Sequence, residues 1–118
     1  MTLKPVVWVG SSKEDLRELA DSVQDVFGYA LFLAQIGKRH PDAKPLTGFG
    51  GASVLEVVED YRGDTYRAVY TVKFIEAVYV LHVFQKKSKR GIATPKPEMG
   101  LIKDRLKRAI EFHSNWKR

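Results

Sequence analysis

The chain contains no cysteine. Disulfides, thiol nucleophiles and thiolate metal sites are therefore excluded, and a reducing cytoplasm is the expected compartment. Apolar runs are also short. No stretch approaches the roughly 20 residues that span a bilayer, and the start, Met1-Thr-Leu-Lys-Pro-Val-Val-Trp8, lacks the apolar centre of an export signal. No membrane contact is expected. Histidine is scarce: His40, His82 and His113 fall in three different predicted elements without metal-ligand spacing, which argues against a zinc site. The segment Gly48-Phe49-Gly50-Gly51 lies between a proline-rich loop and a strand, the wrong setting for a phosphate-binding glycine motif. No serine stands in a nucleophile-elbow context. No cofactor is expected.

Positive charge is plentiful but unevenly placed. The 118 residues carry a formal net charge of +6. Residues 1–85 hold 9 Lys/Arg against 11 Asp/Glu, whereas residues 86–118 hold 11 against 3. The run Gln85-Lys86-Lys87-Ser88-Lys89-Arg90 contains no acidic residue. Such a segment attracts polyanions by neutralising phosphates and releasing counterions, so RNA is the first expected ligand and an acidic protein the second.

With 44% hydrophobic residues, the chain can bury one core, and residues 1–118 read as a single domain. Val6–Val9, stopped by Gly10, reads as a first strand. Ser11 or Ser12 can cap a helix whose apolar positions run from Leu16 to Ala34 at steps of three and four, with Gly28 as the expected break between two helical pieces. His40 to Ala52, rich in proline and glycine, reads as a loop. Three strands follow, Val54–Glu59, Thr65–Phe74 and Val78–Gln85, joined by turns at 61–64 and 75–77, which predicts an antiparallel meander. Thr94 and Pro95 open a short last helix with Met99, Ile102, Leu106 and Ile110 as its apolar stripe, and with Lys103, Arg105, Lys107 and Arg108 mostly outside.

The middle strand alternates Tyr66, Ala68, Tyr70, Val72 and Phe74 with Thr65, Arg67, Val69, Thr71 and Lys73. One apolar and one half-polar face predict a twisted α+β sheet covered by helix on one side and open on the other. Arg67 stands mid-strand on the half-polar face, where a guanidinium requires an anion. That anion is either Glu56 or Glu59 on the neighbouring strand or a bound phosphate. Lys86, Lys87, Lys89 and Arg90 enter the same neighbourhood, and strand register decides whether Lys86 or Lys87 points inward.

Val54-Leu-Glu-Val-Val-Glu-Asp60, Tyr66-Arg-Ala-Val-Tyr70 and Tyr79-Val-Leu-His-Val-Phe-Gln-Lys-Lys-Ser-Lys89, in this order of elements, resemble the RelE/ParE superfamily of bacterial toxins, in its phage-derived, HigB-like branch. The resemblance spans roughly residues 4–113. It implies a RelE-like fold and a type II toxin that cleaves mRNA on the ribosome without a metal. The implied partner is a helix-turn-helix protein antitoxin, through which the toxin is held in a larger assembly. It matches Arg67 to the strand arginine on the scissile phosphate and Lys87 or Lys86 to the basic residue at the strand end. Lys44, Arg62, Lys89 and Arg90 are the corresponding candidates for RNA binding, and His82 is the candidate proton donor. A ParE-like gyrase inhibitor and a non-catalytic RNA-binding phage accessory protein are the competing readings.

Overall fold

The turn Arg62-Gly63 sets the register of the sheet. In the computed structural model, which describes residues 2–86 and 94–116, both turn residues have positive φ (50° and 86°), the combination a two-residue type I′ hairpin requires. The turn joins β3 (Val54–Tyr61) to β4 (Asp64–Thr71) and pairs Tyr61 with Asp64 through to Val54 with Thr71. β5 (Val78–Lys86) runs antiparallel to β4. β1 (Val6–Trp8) adds to β5 in parallel, and the two-residue β2 (Lys44–Pro45), inside the expected loop, adds to β3. The sheet order is β1-β5-β4-β3-β2. The predicted meander is present, although β4 stops at Thr71 rather than Phe74. There the Thr71 hydroxyl donates to the Ser53 carbonyl (2.8 Å) and accepts from the Lys73 amide (3.1 Å), ending the ladder.

One face is covered by α2 (Asp21–Gln35), whose Val23, Phe27, Ala30, Leu31 and Ala34 pack with Leu55, Val57, Ala68, Tyr70 and Val80. α1 (Ser12–Arg17) precedes it, and the break falls at Leu19-Ala20 instead of Gly28. Ala20 is extended (φ −58°, ψ 148°), while the Gln24 side chain donates to the carbonyls of Leu19 (2.8 Å) and Arg17 (3.1 Å) that α1 leaves free. Gly28 continues within α2, where a side chain would meet open space.

The second face is not open, which corrects the expectation. α3 (Lys96–Trp116) is a long helix of 21 residues, and it builds a second core from Ile102 and Ala109 with Val54, Val69, Tyr79 and Leu81. Its inward stripe is also rotated from the one the apolar residues suggest: Ile102, Arg105, Ala109 and His113 are the buried positions. Two polar residues can lie there because each finds hydrogen-bond partners on other elements. The Arg105 guanidinium donates to the Leu81 carbonyl (3.0 Å) and the Ser11 hydroxyl (3.1 Å), and approaches His82 Nδ1 (3.4 Å). It lies flat over Gly10, where a Cβ would stand 2.8 Å from it. His113 links the Tyr79 hydroxyl (2.8 Å, Nδ1) to the Glu76 carboxylate (2.9 Å, Nε2) and stacks on Phe74. Among the described residues, no helix is long and apolar enough to cross a membrane.

Replacing Arg105 by Met should lower stability by about 2–4 kcal/mol, because it strands the Leu81 carbonyl and uncouples α3. Gly10→Ala, at φ +59° and against the same guanidinium, should cost a comparable amount. The two breaks share one contact, so a urea-denaturation cycle should find the double variant less destabilised than the two effects added; additivity would refute the coupling.

His82 is pushed below its ordinary 6.5, chiefly by burial, against the opposing hydrogen bond from Glu98. Its folded-state pKa being depressed, it supports stability above pH 6.5, and that support is lost as pH falls toward the lower folded value. Thermal melts of His82→Gln between pH 7.5 and 5 should show a shallower decline than those of the parent chain.

Candidate nucleic-acid site at the end of the sheet

α3 covers only part of the second face. Toward the β3–β4 turn, that face carries Glu56, Val58 and Asp60 of β3, Thr65 and Arg67 of β4, and Phe84 and Lys86 of β5, because directly paired residues share a face. The pairing of Lys86 with Thr65 settles the register question for this lysine: it stands on the same face as Arg67. Arg67 and Lys86 are each only 3% exposed.

Arg67 Nη1 donates to Glu56 Oε2 at 2.7 Å and to the Thr94 hydroxyl at 3.2 Å. Thr94 stands just ahead of α3, so the arginine joins the sheet to the helix's approach. Of the two expected protein partners, Glu56 is the one used. Glu59 pairs with Tyr66 and belongs to the opposite face. The Glu56 carboxylate remains 16% exposed.

Lys86 is in a different position. Its ammonium is buried and has no hydrogen-bond partner among the described residues. Burial first, and then the neighbouring Arg67 charge, lowers its pKa below the ordinary 10.5, while Glu56 pulls the other way. Two cations thus share one carboxylate in a protected corner. The arrangement has a spare donor beside an arginine, which suits a phosphate oxygen.

The structure brings some of the remaining candidates to this corner and not others. Lys44 of β2 lies directly opposite Glu56 and is exposed beside it. Arg62 sits at the hairpin tip with its guanidinium over the Tyr61 ring (5.2 Å), and Tyr61 packs with the α2 core. It is turned toward the other face. His82 shares the face of Arg67 but is bound elsewhere. The Arg105 guanidinium can only donate, so His82 Nδ1 accepts, which leaves the neutral ring's Nε2–H to donate to Glu98 Oε2 (3.1 Å). The ring stacks on Phe84, the cross-strand partner of Arg67. Lys87, Lys89 and Arg90 lie outside the described residues.

Thr65 and Thr94 were not among the residues the sequence singled out for the site, and Glu56 was named only as one of two partners for Arg67. The signal for Glu56 and Thr65 was present, since counting back from a two-residue turn at Arg62-Gly63 places Glu56 on the face of Arg67 and Thr65 two residues before it. Thr94 carries no local signal, because its approach depends on where α3 docks.

The family described as phage derived protein, Gp49-like, matches residues 14–107. A search of curated proteins returned no match. A solved structure of the E. coli toxin RelE, a double arginine-to-alanine mutant in the free state, is similar in fold. The TM-score is 0.54 at 17% sequence identity, covering 92% of this chain and 98% of that chain. The expected RelE-like α+β architecture is therefore present. Most of its length being matched, the chain belongs to the phage-derived Gp49-like family.

Proposed function

We propose that this protein is the toxin of a type II toxin–antitoxin pair, acting in the cytoplasm as a ribosome-dependent endoribonuclease on mRNA and silenced by a helix-turn-helix antitoxin. The observation that carries the reading is the Lys86 ammonium, buried without a hydrogen-bond partner among the described residues, beside an arginine already held by Glu56. A charge placed so costs stability unless it meets an anion in use. The RelE fold and the Gp49-like family support the toxin assignment.

The chemistry needs no metal. Glu56 takes the proton from a ribose 2′-hydroxyl, whose oxygen attacks the adjacent phosphorus. Arg67 and Lys86 hold the negative charge that builds on the phosphoryl oxygens. As the bond from phosphorus to the 5′-oxygen breaks, Lys86 gives that oxygen a proton. Its depressed pKa makes it a better acid than an ordinary lysine. The products are a 2′,3′-cyclic phosphate and a 5′-hydroxyl. Lys44 contacts a flanking phosphate beside Glu56, and Lys87, Lys89 and Arg90 continue the basic track in sequence. Arg62, at the hairpin tip, meets RNA only outside this corner. His82 serves to seat α3 and has no part in the proton transfers.

Arg67→Ala and Glu56→Gln should each lower cleavage of ribosome-bound mRNA by at least about 100-fold and relieve growth arrest on induction. Retained cleavage in both variants would remove the site from this corner. Arrest of DNA replication before translation would favour gyrase inhibition instead.

Lys86→Met should lose cleavage as severely and yet be more stable near neutral pH, by about 1–3 kcal/mol, because it removes a covered charge. The folded-state pKa of Lys86 being depressed, the unfolded chain binds more protons between that value and 10.5, so the parent's stability rises with pH through that window. The variant should lack this rise in alkaline melts. A variant less stable than the parent would mean that Lys86 is held by a favourable contact.

A further inference from the structure

The rotation of α3 leaves apolar surface unused. Its stripe on the sheet is Ile102, Arg105, Ala109 and His113, so Leu106 and Ile110 fall beside that stripe, and Ile110 is 39% exposed. They do not face open water alone. With Gly48 and Phe49 of the loop before β3, they line a groove of about 470 Å³, bordered by Lys103, Lys107 and Glu111. Leu106 and Ile110 are one helical turn apart, as are Lys103 and Lys107, so an apolar row and a basic row run side by side along α3.

The two lysines are not consumed by the helix itself. Arg108 pairs with Asp104 (3.5 Å) on the outer side, whereas neither Lys103 nor Lys107 has an ion-pair or hydrogen-bond partner among the described residues. An apolar floor bordered by two unpaired lysines and one carboxylate favours a ligand that is apolar on one side and acidic on the next. A second copy of the chain is a poor occupant, since it brings the same net charge of +6. Nucleic acid fits poorly as well, because the floor is formed by the apolar side chains of Phe49, Leu106 and Ile110.

We infer that the groove between α3 and the Gly48-Phe49 loop docks an acidic amphipathic helix of a partner protein, its leucine-type anchors on Phe49, Leu106 and Ile110 and its carboxylates on Lys103 and Lys107. The surface is distinct from the Arg67–Lys86 corner, so docking and RNA cleavage are separable.

The test uses the full chain and two fluorescein-labelled 16-residue peptides that share leucines at helical spacing. One carries glutamates on the flanking positions and the other lysines. Fluorescence anisotropy should show the acidic peptide binding at least tenfold more tightly. The Lys103→Glu/Lys107→Glu double variant, changed only at exposed positions, should reverse that preference while cleaving ribosome-bound mRNA as the parent does. Ile110→Asp should weaken the acidic peptide at least tenfold with an unchanged circular-dichroism spectrum. Equal binding of the two peptides, an unaffected double variant, or displacement by a ten-residue oligouridylate in place of the acidic peptide would each overturn the inference. So would concentration-dependent dimerisation abolished by Ile110→Asp, which would assign the groove to a second copy.

Discussion

The Arg105 guanidinium is the contact on which the arrangement of the molecule depends. It is buried between α3, the carbonyl of Leu81, the hydroxyl of Ser11 and the ring of His82, over a glycine that has no side chain to obstruct it. A cation in that position is tolerated because both of its terminal nitrogens donate to groups of other elements. Those donors fix both the height and the rotation of α3 above the sheet. The second anchor, Tyr79–His113–Glu76, holds the far end of the helix by the same means, with hydrogen bonds inside an otherwise apolar layer.

Fixing α3 in this way divides the sheet face into two zones. Beneath the helix, Val54, Val69, Tyr79 and Leu81 form a packed core. Past its first turn, the same strands carry Glu56, Arg67 and Lys86, and Thr94 completes the corner. Burial without full compensation is the mark of the second zone: one carboxylate serves two cations. The contrast with Arg105 is instructive. Both arginines are buried, but one is met by neutral acceptors and holds a helix, while the other is met by a carboxylate next to an ammonium that has no hydrogen-bond partner among the described residues.

Much of the fold was legible because strand periodicity and turn chemistry are local. The alternation through Thr65–Thr71 and the Arg62-Gly63 turn were enough to recover the hairpin, and Arg67 could be picked out as a charged residue at a half-buried position. What escaped depended on contacts between elements distant in sequence. The inward stripe of α3 includes Arg105 and His113, polar residues that periodicity assigns to solvent, because their partners Leu81, Ser11, Tyr79 and Glu76 lie 24 to 94 residues away. The open second face followed from the same misreading: a helix taken as short and outward-facing could not be expected to cover a sheet. The choice between Glu56 and Glu59 as the partner of Arg67 was a matter of register, which one counted turn resolves. The break after α1 went to Ala20 rather than Gly28 because a glutamine side chain caps the preceding carbonyls, a stronger local influence than the modest helix penalty of a glycine.

The parallel pairing of β1 with β5 has a consequence for the order in which the chain can assemble. Val6–Trp8 precedes every other strand, yet its strand partner among the described residues, Val78–Val80, is made some seventy residues later. The hairpin of β3 and β4 can close as soon as it emerges, but the edge strand must wait for β5, and the sheet cannot receive α3 until the last part of the chain has left the ribosome. The buried groups of the Arg67–Lys86 corner, Glu56, Arg67 and Lys86, come from residue 56 onward, and Thr94 comes later still. The corner is therefore incomplete for most of the chain's synthesis, and it closes only when α3 has docked.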